Sequence, residues 1–125
     1  IVRIDEGTKQ VVDEPDIWNS AFAYAYPDAY PNEGGEVGIT VFRGGGTRHP
    51  GHVVGFRDDG ANLWRLRVTR NGSDGPIDGK WGDYLTCRRH FPQAATWVAV
   101  GYTLQGGGAR TDIEPRYVHF GRAGG

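Results

Sequence analysis

The feature that most constrains the fold is an internal repeat, which divides the chain into two related halves. An aromatic-proline pair, an apolar strand with one glycine, a triple glycine and a Pro-x-x-Val element occur in the same order in both halves. These elements begin at Tyr30, Val37, Gly44 and Pro50 in the first half and at Phe91, Val98, Gly106 and Pro115 in the second. Periods of tens of residues are typical of solenoids and propellers. We therefore predict a first β repeat with an N-terminal strand over residues 1–72 and a second β repeat over residues 73–125.

The composition indicates an all-β fold. Twenty-one glycines and seven prolines among 125 residues interrupt the chain too often for long helices, whereas Val, Tyr, Trp and Phe favour strands. Period-2 alternation and short apolar runs predict seven strands. They are Phe22–Tyr26, Glu36–Phe42, His52–Phe56, Asn62–Thr69, Tyr84–His90, Thr96–Leu104 and Arg116–Phe120. The clean alternation of residues 63–70 predicts an outer strand with one face in water.

About four antiparallel strands per repeat is the size of a β-propeller blade. Propellers need about four to eight blades, so two blades alone do not close a ring. We expect the missing blades to come from further chain or from other copies of this chain. The sequence contains no Met, which predicts that it is a processed product or a piece of a longer protein.

Two segments resemble a known family. Residues 80–86, Lys-Trp-Gly-Asp-Tyr-Leu-Thr, resemble the Trp-Gly-Asp-Tyr segment of sialidase-like (BNR-type) β-propellers of bacterial surface and secreted proteins. Residues 25–39 resemble a strand and hairpin of the same propellers. The resemblance implies a propeller fold and an extracellular or cell-surface location. The Asp-box and an assignable set of three arginines with a Tyr-Glu pair are absent, so sialidase activity is not expected.

No catalytic constellation is recognisable, and we predict no catalytic residue. Loops crowd one rim of a propeller, where a sugar or peptide can stack on aromatic rings and bond to Arg and His. The candidate ligand-binding residues are Arg48, His49, Arg88, Tyr102 and Arg110.

The Trp81-Gly82-Asp83-Tyr84 motif has a structural interpretation. Gly82 permits a close backbone approach, Asp83 bonds to nearby amides, and Trp81 and Tyr84 fill the space between blades. The functional alternative places Asp83 at the start of an inner strand, where carboxylates from successive blades hold a cation.

No cofactor and no metal site are predicted. Asp74, Asp78 and Asp83 share a turn-rich stretch where Ca²⁺ is an alternative to ordinary turn aspartates, although their spacing does not match an EF-hand. His49 and His52 are three residues apart and point to opposite faces of a strand, so they do not form a metal pair.

The charge and apolar pattern exclude two classes of partner. Fourteen basic and fifteen acidic residues give a net charge of −1, which argues against nucleic acid. No apolar run approaches the ~20 residues of a membrane span.

Three functions remain open at this level. The first is a non-catalytic binding or scaffold module that recognises a glycan or a protein through its rim loops. The second is part of a glycoside-processing enzyme whose active site is shared across blades, with carboxylates such as Glu33, Glu36 and Glu114. The third is a self-assembling propeller lectin in which three copies close a six-bladed ring.

Overall fold

The computed structural model describes residues 1–106 and 112–123, and in these residues the regular structure is entirely β. The strands form antiparallel sheets of two (β1-β2), four (β3-β4-β5-β6) and three strands (β7-β8-β9). The strands are β1 Arg3–Ile4, β2 Val11–Asp13, β3 Ala23–Pro31, β4 Val37–Gly45, β5 Arg48–Asp58, β6 Leu63–Arg70, β7 Thr86–Arg89, β8 Trp97–Leu104 and β9 Ile113–Phe120. The predicted all-β class with a four-stranded antiparallel sheet is confirmed. The larger sheets are called the first sheet (β3–β6) and the second sheet (β7–β9).

All seven predicted strands are present. Strands β4, β5 and β9 are longer than predicted, and the bounds of β3 and β7 differ for a backbone reason. Strand β3 continues to Pro31, because a register shift between Ala25 and Asp28 carries the chain past Tyr26, whose φ is 55°. Strand β7 begins at Thr86, two residues later than predicted. Asp83 and Tyr84 have φ values of 61° and 57°, and two successive left-handed residues do not continue an extended strand. Both differences arise from left-handed backbone that alternation patterns do not reveal.

The two larger sheets stack face to face with corresponding strands aligned. The start of β4 meets the start of β8, because Gly38 lies directly against the Trp97 ring. Further along the same strands, the rings of Phe42 and Tyr102 are 5.1 Å apart. Strand β3 lies beside β7, where the Cys87 amide donates a 2.8 Å hydrogen bond to Asp28. The two sheets therefore have the same strand order and the same strand direction. Because of this, they pack against each other through opposite faces.

The strand glycines aligned in the sequence repeat do not occupy equivalent positions in this stack. Equivalent residues of sheets stacked front to back point the same way, whereas Gly38 faces Trp97 and Gly101 faces His52 across the interface. The order of strands in the two repeats corresponds, but the residue-by-residue alignment fails at these glycines. The division at residue 72 falls between β6 and β7 and stays a prediction.

Trp97 is the centre of the core between the sheets. Its ring is fully buried and stacks on Phe56 and Phe120 at centroid distances of 5.9 and 5.6 Å. The indole Nε1 donates a 2.8 Å hydrogen bond to the Tyr30 carbonyl. A buried indole N–H needs such a partner, so this bond ties β8 to β3 as well as filling the core.

The outer face of the first sheet is also buried. Ile39, Val41 and Val53 lie on this face and are at most 2% exposed. The segment 1–22 is attached at both ends of the face. Arg3 forms a 2.8 Å ion pair with Asp59, and the Arg43 guanidinium lies over the Phe22 ring at 5.2 Å. The N-terminal segment, which we call the N-terminal cap, is therefore attached to the first sheet at these two points.

Candidate functional site

The loop over residues 71–85, which joins the two sheets, forms one wall of a cleft of about 590 Å³. We call it the aromatic cleft. Its apolar lining comes from Ile77, Trp81, Tyr84, Tyr102, Leu104 and Ile113, and its polar lining includes Asp78, Lys80 and Asp83. Apolar side chains together with convergent polar groups are typical of small-molecule sites.

The floor of the aromatic cleft consists of aromatic rings that pack on one another. The Trp81 ring lies 4.9 Å from Phe42 of the first sheet and 4.8 Å from Tyr102 of the second. The Tyr102 hydroxyl donates a 2.8 Å hydrogen bond to the Gly82 carbonyl, and burial raises its pKa. Trp81 thus lies between the two sheets, as the sequence predicts for the space between blades.

The wall that carries Tyr84 has an unusual backbone. Gly82 has a φ of 133°, and it packs so closely on the Tyr26 ring that a β-carbon has no room there. Asp83 and Tyr84 follow in left-handed conformation, and Tyr26 itself has positive φ. Each such non-glycine residue costs of order 1–3 kcal/mol, and clusters of them occur at functional sites.

Tyr84 does not fill the space between sheets, contrary to the sequence-based interpretation of the motif. Its side chain is 86% exposed, because the left-handed turn directs it away from the core and along the mouth of the aromatic cleft. An exposed ring on a constrained backbone presents a binding surface that loses little conformational freedom when a ligand packs on it.

Two of the aspartates in the loop accept hydrogen bonds from backbone amides of the same loop. Asp74 accepts a 2.8 Å hydrogen bond from the Gly75 amide, and Asp78 accepts one of 3.2 Å from the Lys80 amide. Asp83 lines the aromatic cleft and the groove beside it. Within residues 1–106 and 112–123, no group of three or more His, Cys, Asp or Glu side chains forms a metal site. The Ca²⁺ alternative therefore finds no ligand set in this part of the chain.

Arg88 lies in an adjacent groove rather than in the aromatic cleft. Its guanidinium forms a 2.9 Å ion pair with Asp28 and lies over the Tyr30 ring at 5.5 Å. This groove has a volume of about 520 Å³ and includes the exposed ring of Phe91. A shallow depression that contains both Tyr84 and Arg88 connects it with the aromatic cleft.

The remaining predicted ligand residues are dispersed. Arg48 lies over the Phe22 ring at 5.2 Å, near the N-terminal cap, and lines none of these depressions. His49 is exposed and lies beside Gly75 at the start of the loop. Arg110 lies outside the described residues. Of the predicted set, the structure brings Tyr102 into the aromatic cleft and Arg88 beside it.

The carboxylates suggested for a glycoside-processing site lie elsewhere. Glu36 is paired with Arg122 at 2.7 Å, and Glu114 is paired with Arg116 at 3.0 Å. Glu33 lines the groove of Arg88. None of these three lines the aromatic cleft.

Sequence reasoning missed several lining residues of the cleft. Ile77 is an apolar residue inside the turn-rich stretch 71–78, a signal that the sequence itself contains, whereas Ile113 lies just before the predicted strand Arg116–Phe120. Lys80 belongs to the same loop but is an ordinary surface residue in the sequence. Leu104 reaches the cleft only because the second sheet packs beside this loop.

Comparison with known proteins assigns no family. No protein-family model matches the chain, and no curated protein and no solved structure matches it. The described part of the chain has no helix that is long and apolar enough to cross a membrane.

Proposed function

We propose that the chain is a non-catalytic binding and scaffold module of the sialidase-like β-propeller type, and that it holds a glycan in the aromatic cleft. The observation that carries the proposal is the exposed Tyr84 ring, fixed by a left-handed backbone at the mouth of a cleft floored by Trp81 and Tyr102.

The chemistry of the cleft suits a sugar better than a purely apolar ligand. A sugar ring has an apolar face of C–H groups, which packs on an aromatic side chain, and a rim of hydroxyls that need hydrogen-bond partners. Asp78, Lys80 and Asp83 supply acceptors and donors at the edge of the same cleft. A protein loop that presents an aromatic or aliphatic side chain is the other ligand class that this lining fits.

The surroundings of the cleft support binding rather than catalysis. The carboxylates Glu36 and Glu114 are held in ion pairs away from it. Burial, together with the neighbouring Asp28, raises the pKa of the Cys87 thiol to about 12, so it is a poor nucleophile.

The propeller assignment rests on the sequence resemblance and on the stacking of the two sheets. Blades of a propeller are antiparallel sheets that cover one another's apolar faces, and β3–β6 has the strand number of one blade. Placement outside the cell follows from the same resemblance and belongs to the proposal.

The test is titration calorimetry with a panel of neutral and acidic oligosaccharides on the wild type and on Tyr84→Asn. Asn tolerates left-handed backbone, so this variant removes the ring and keeps the turn. Trp18→Asn is the matched control, because Trp18 is also a highly exposed aromatic residue but lies outside the cleft. We expect Tyr84→Asn to reduce the affinity at least about tenfold, which corresponds to about 1.4 kcal/mol of binding free energy. We expect Trp18→Asn to leave the affinity unchanged.

Equal binding by both variants would refute the cleft as the site. Absence of binding across the panel would refute a glycan ligand. Release of chromophore from aryl glycosides would replace the proposal with the glycoside-processing alternative, because a binding module does not turn over a substrate.

A further inference from the structure

Two further depressions continue the aromatic cleft along β3 and β7. The cleft shares Asp83 and Tyr84 with the shallow depression beside it. That depression in turn shares Arg88 with the groove that contains Phe91. Because neighbouring depressions have lining residues in common, the three form one continuous path over the surface. We call this path, which runs from the aromatic cleft to Phe91, the extended groove.

The extended groove is longer than a single sugar ring. Strand β7 separates Tyr84 from Phe91, and its four residues span about 10 Å at a rise of about 3.3 Å per residue. The aromatic cleft and the groove of Phe91 add to this length at its two ends. Several linked sugar units therefore find room in it. Because the path follows β3 and β7, it suits a chain that is itself extended.

Aromatic rings are exposed at both ends of the extended groove. Tyr84 lies at the mouth of the aromatic cleft, and Phe91, which is 90% exposed, lines the far end. The Tyr30 ring lines the far end as well, and the Arg88 guanidinium lies over it. An aromatic face packs on the C–H face of a sugar, so each end offers a platform for one unit of the same chain.

The charges along the extended groove favour an uncharged ligand. Its charged lining residues are four carboxylates and three cations, namely Asp28, Glu33, Asp78 and Asp83 with Lys80, Arg88 and Arg89. Arg88 is held by Asp28 at 2.9 Å, and Arg89 shares the far groove with Glu33. The small excess of carboxylates repels an acidic sugar. The same side chains donate to and accept from sugar hydroxyls without needing a charge on the ligand.

We propose that the ligand of the extended groove is a neutral, extended oligosaccharide of several β-1,4-linked units. One unit occupies the aromatic cleft at Tyr84, and a later unit of the same chain packs on Phe91. This inference rests on the proposed function, because the aromatic cleft is the first of these subsites. Once one unit is bound, the next contact is intramolecular, so affinity rises with chain length until the groove is filled.

The test is titration calorimetry with cello-, manno- and xylo-oligosaccharides of one to six units. We expect at least one series to bind at least about tenfold more tightly as the tetrasaccharide than as the single sugar. Malto-oligosaccharides are the matched ligands, since their α-1,4 linkage curves the chain, and they should gain little with length. Carboxylated cello-oligosaccharides should bind more weakly than the neutral ones of equal length, because the groove carries the excess of carboxylates.

Phe91→Ser tests the far subsite. It should reduce the affinity for the tetrasaccharide by up to about tenfold and leave the affinity for the single sugar unchanged. Tyr117→Ser is the control, because Tyr117 is also a highly exposed aromatic residue but lines none of the three depressions. Circular dichroism of both variants verifies folding, and the length dependence of the wild type does not rely on either variant.

The outcomes separate this inference from the proposed function. Binding that depends on Tyr84 but is equal for one and four units overturns the extended groove and leaves the cleft as the site. Equal binding of malto- and cello-oligosaccharides, tighter binding of the carboxylated series, or no effect of Phe91→Ser on the tetrasaccharide also overturns it. Absence of binding in every series refutes a glycan ligand and this inference together.

Discussion

His52 makes the stability of this protein depend on pH in a range where few other groups titrate. The side chain is fully buried between the sheets and lies between two hydroxyls. Its Nε2 is 2.7 Å from Thr40 Oγ1, and its Nδ1 is 2.6 Å from Thr69 Oγ1. A neutral ring with the proton on Nδ1 satisfies both, because Thr69 donates to the His52 carbonyl and accepts from the ring. Burial, with a smaller contribution from Arg116, lowers the pKa of His52 to about 4 from 6.5.

The direction of the effect follows from proton uptake. The unfolded chain protonates at His52 near pH 6.5, whereas the folded chain resists protonation until about pH 4. Acidification through this window therefore favours the unfolded state, and the stabilising contribution present above pH 6.5 is lost as the pH falls. Between pH 7.5 and 5.0 the free energy of unfolding should fall by about 2 kcal/mol from this residue.

Urea denaturation at pH 7.5 and 5.0 measures this loss, with His52→Gln as the comparison. Glutamine has a donor and an acceptor and does not titrate, so the variant should lose much less stability over the same interval. Asp58, whose bonds to Arg65 and Arg122 lower its pKa to about 2, titrates below this range and does not interfere. An equal loss in the wild type and His52→Gln would refute the assignment to His52.

Two further predictions concern the interface between the sheets. Gly38→Ala should destabilise the fold by about 1–3 kcal/mol in urea denaturation, because the added methyl meets the Trp97 ring. Gly60→Ala, where the space is ordinary, should cost clearly less, and similar losses would contradict this reasoning. Cys87, buried with its pKa raised from 9.0 to about 12, should react with a thiol reagent at pH 8 roughly a thousandfold more slowly in the folded protein than in urea. Fast labelling of the folded protein would show that the thiol is accessible.

The amino-acid pattern alone determined the local part of this architecture. Alternation of apolar and polar residues and the spacing of Gly and Pro predict seven strands, and all seven are present. The alternation of Leu63–Arg70 predicts an outer strand with one wet face, and β6 is an edge strand with alternating exposure. The aromatic character of Trp81 also predicts that it packs between strands, and its ring contacts Phe42 of the first sheet and Tyr102 of the second. These properties depend on residues close together in sequence.

Only the tertiary structure decided which residues meet. The left-handed turn at Asp83 and Tyr84 exposes the ring that the motif suggests is packed. The stacking of the sheets turns Gly38 toward the second sheet and Gly101 toward the first, although the repeat aligns them as equivalents. It also covers one outer face and leaves the other open at Val100. A strand pattern specifies that one face is apolar, but what covers that face depends on packing between segments far apart in sequence, which local periodicity does not encode.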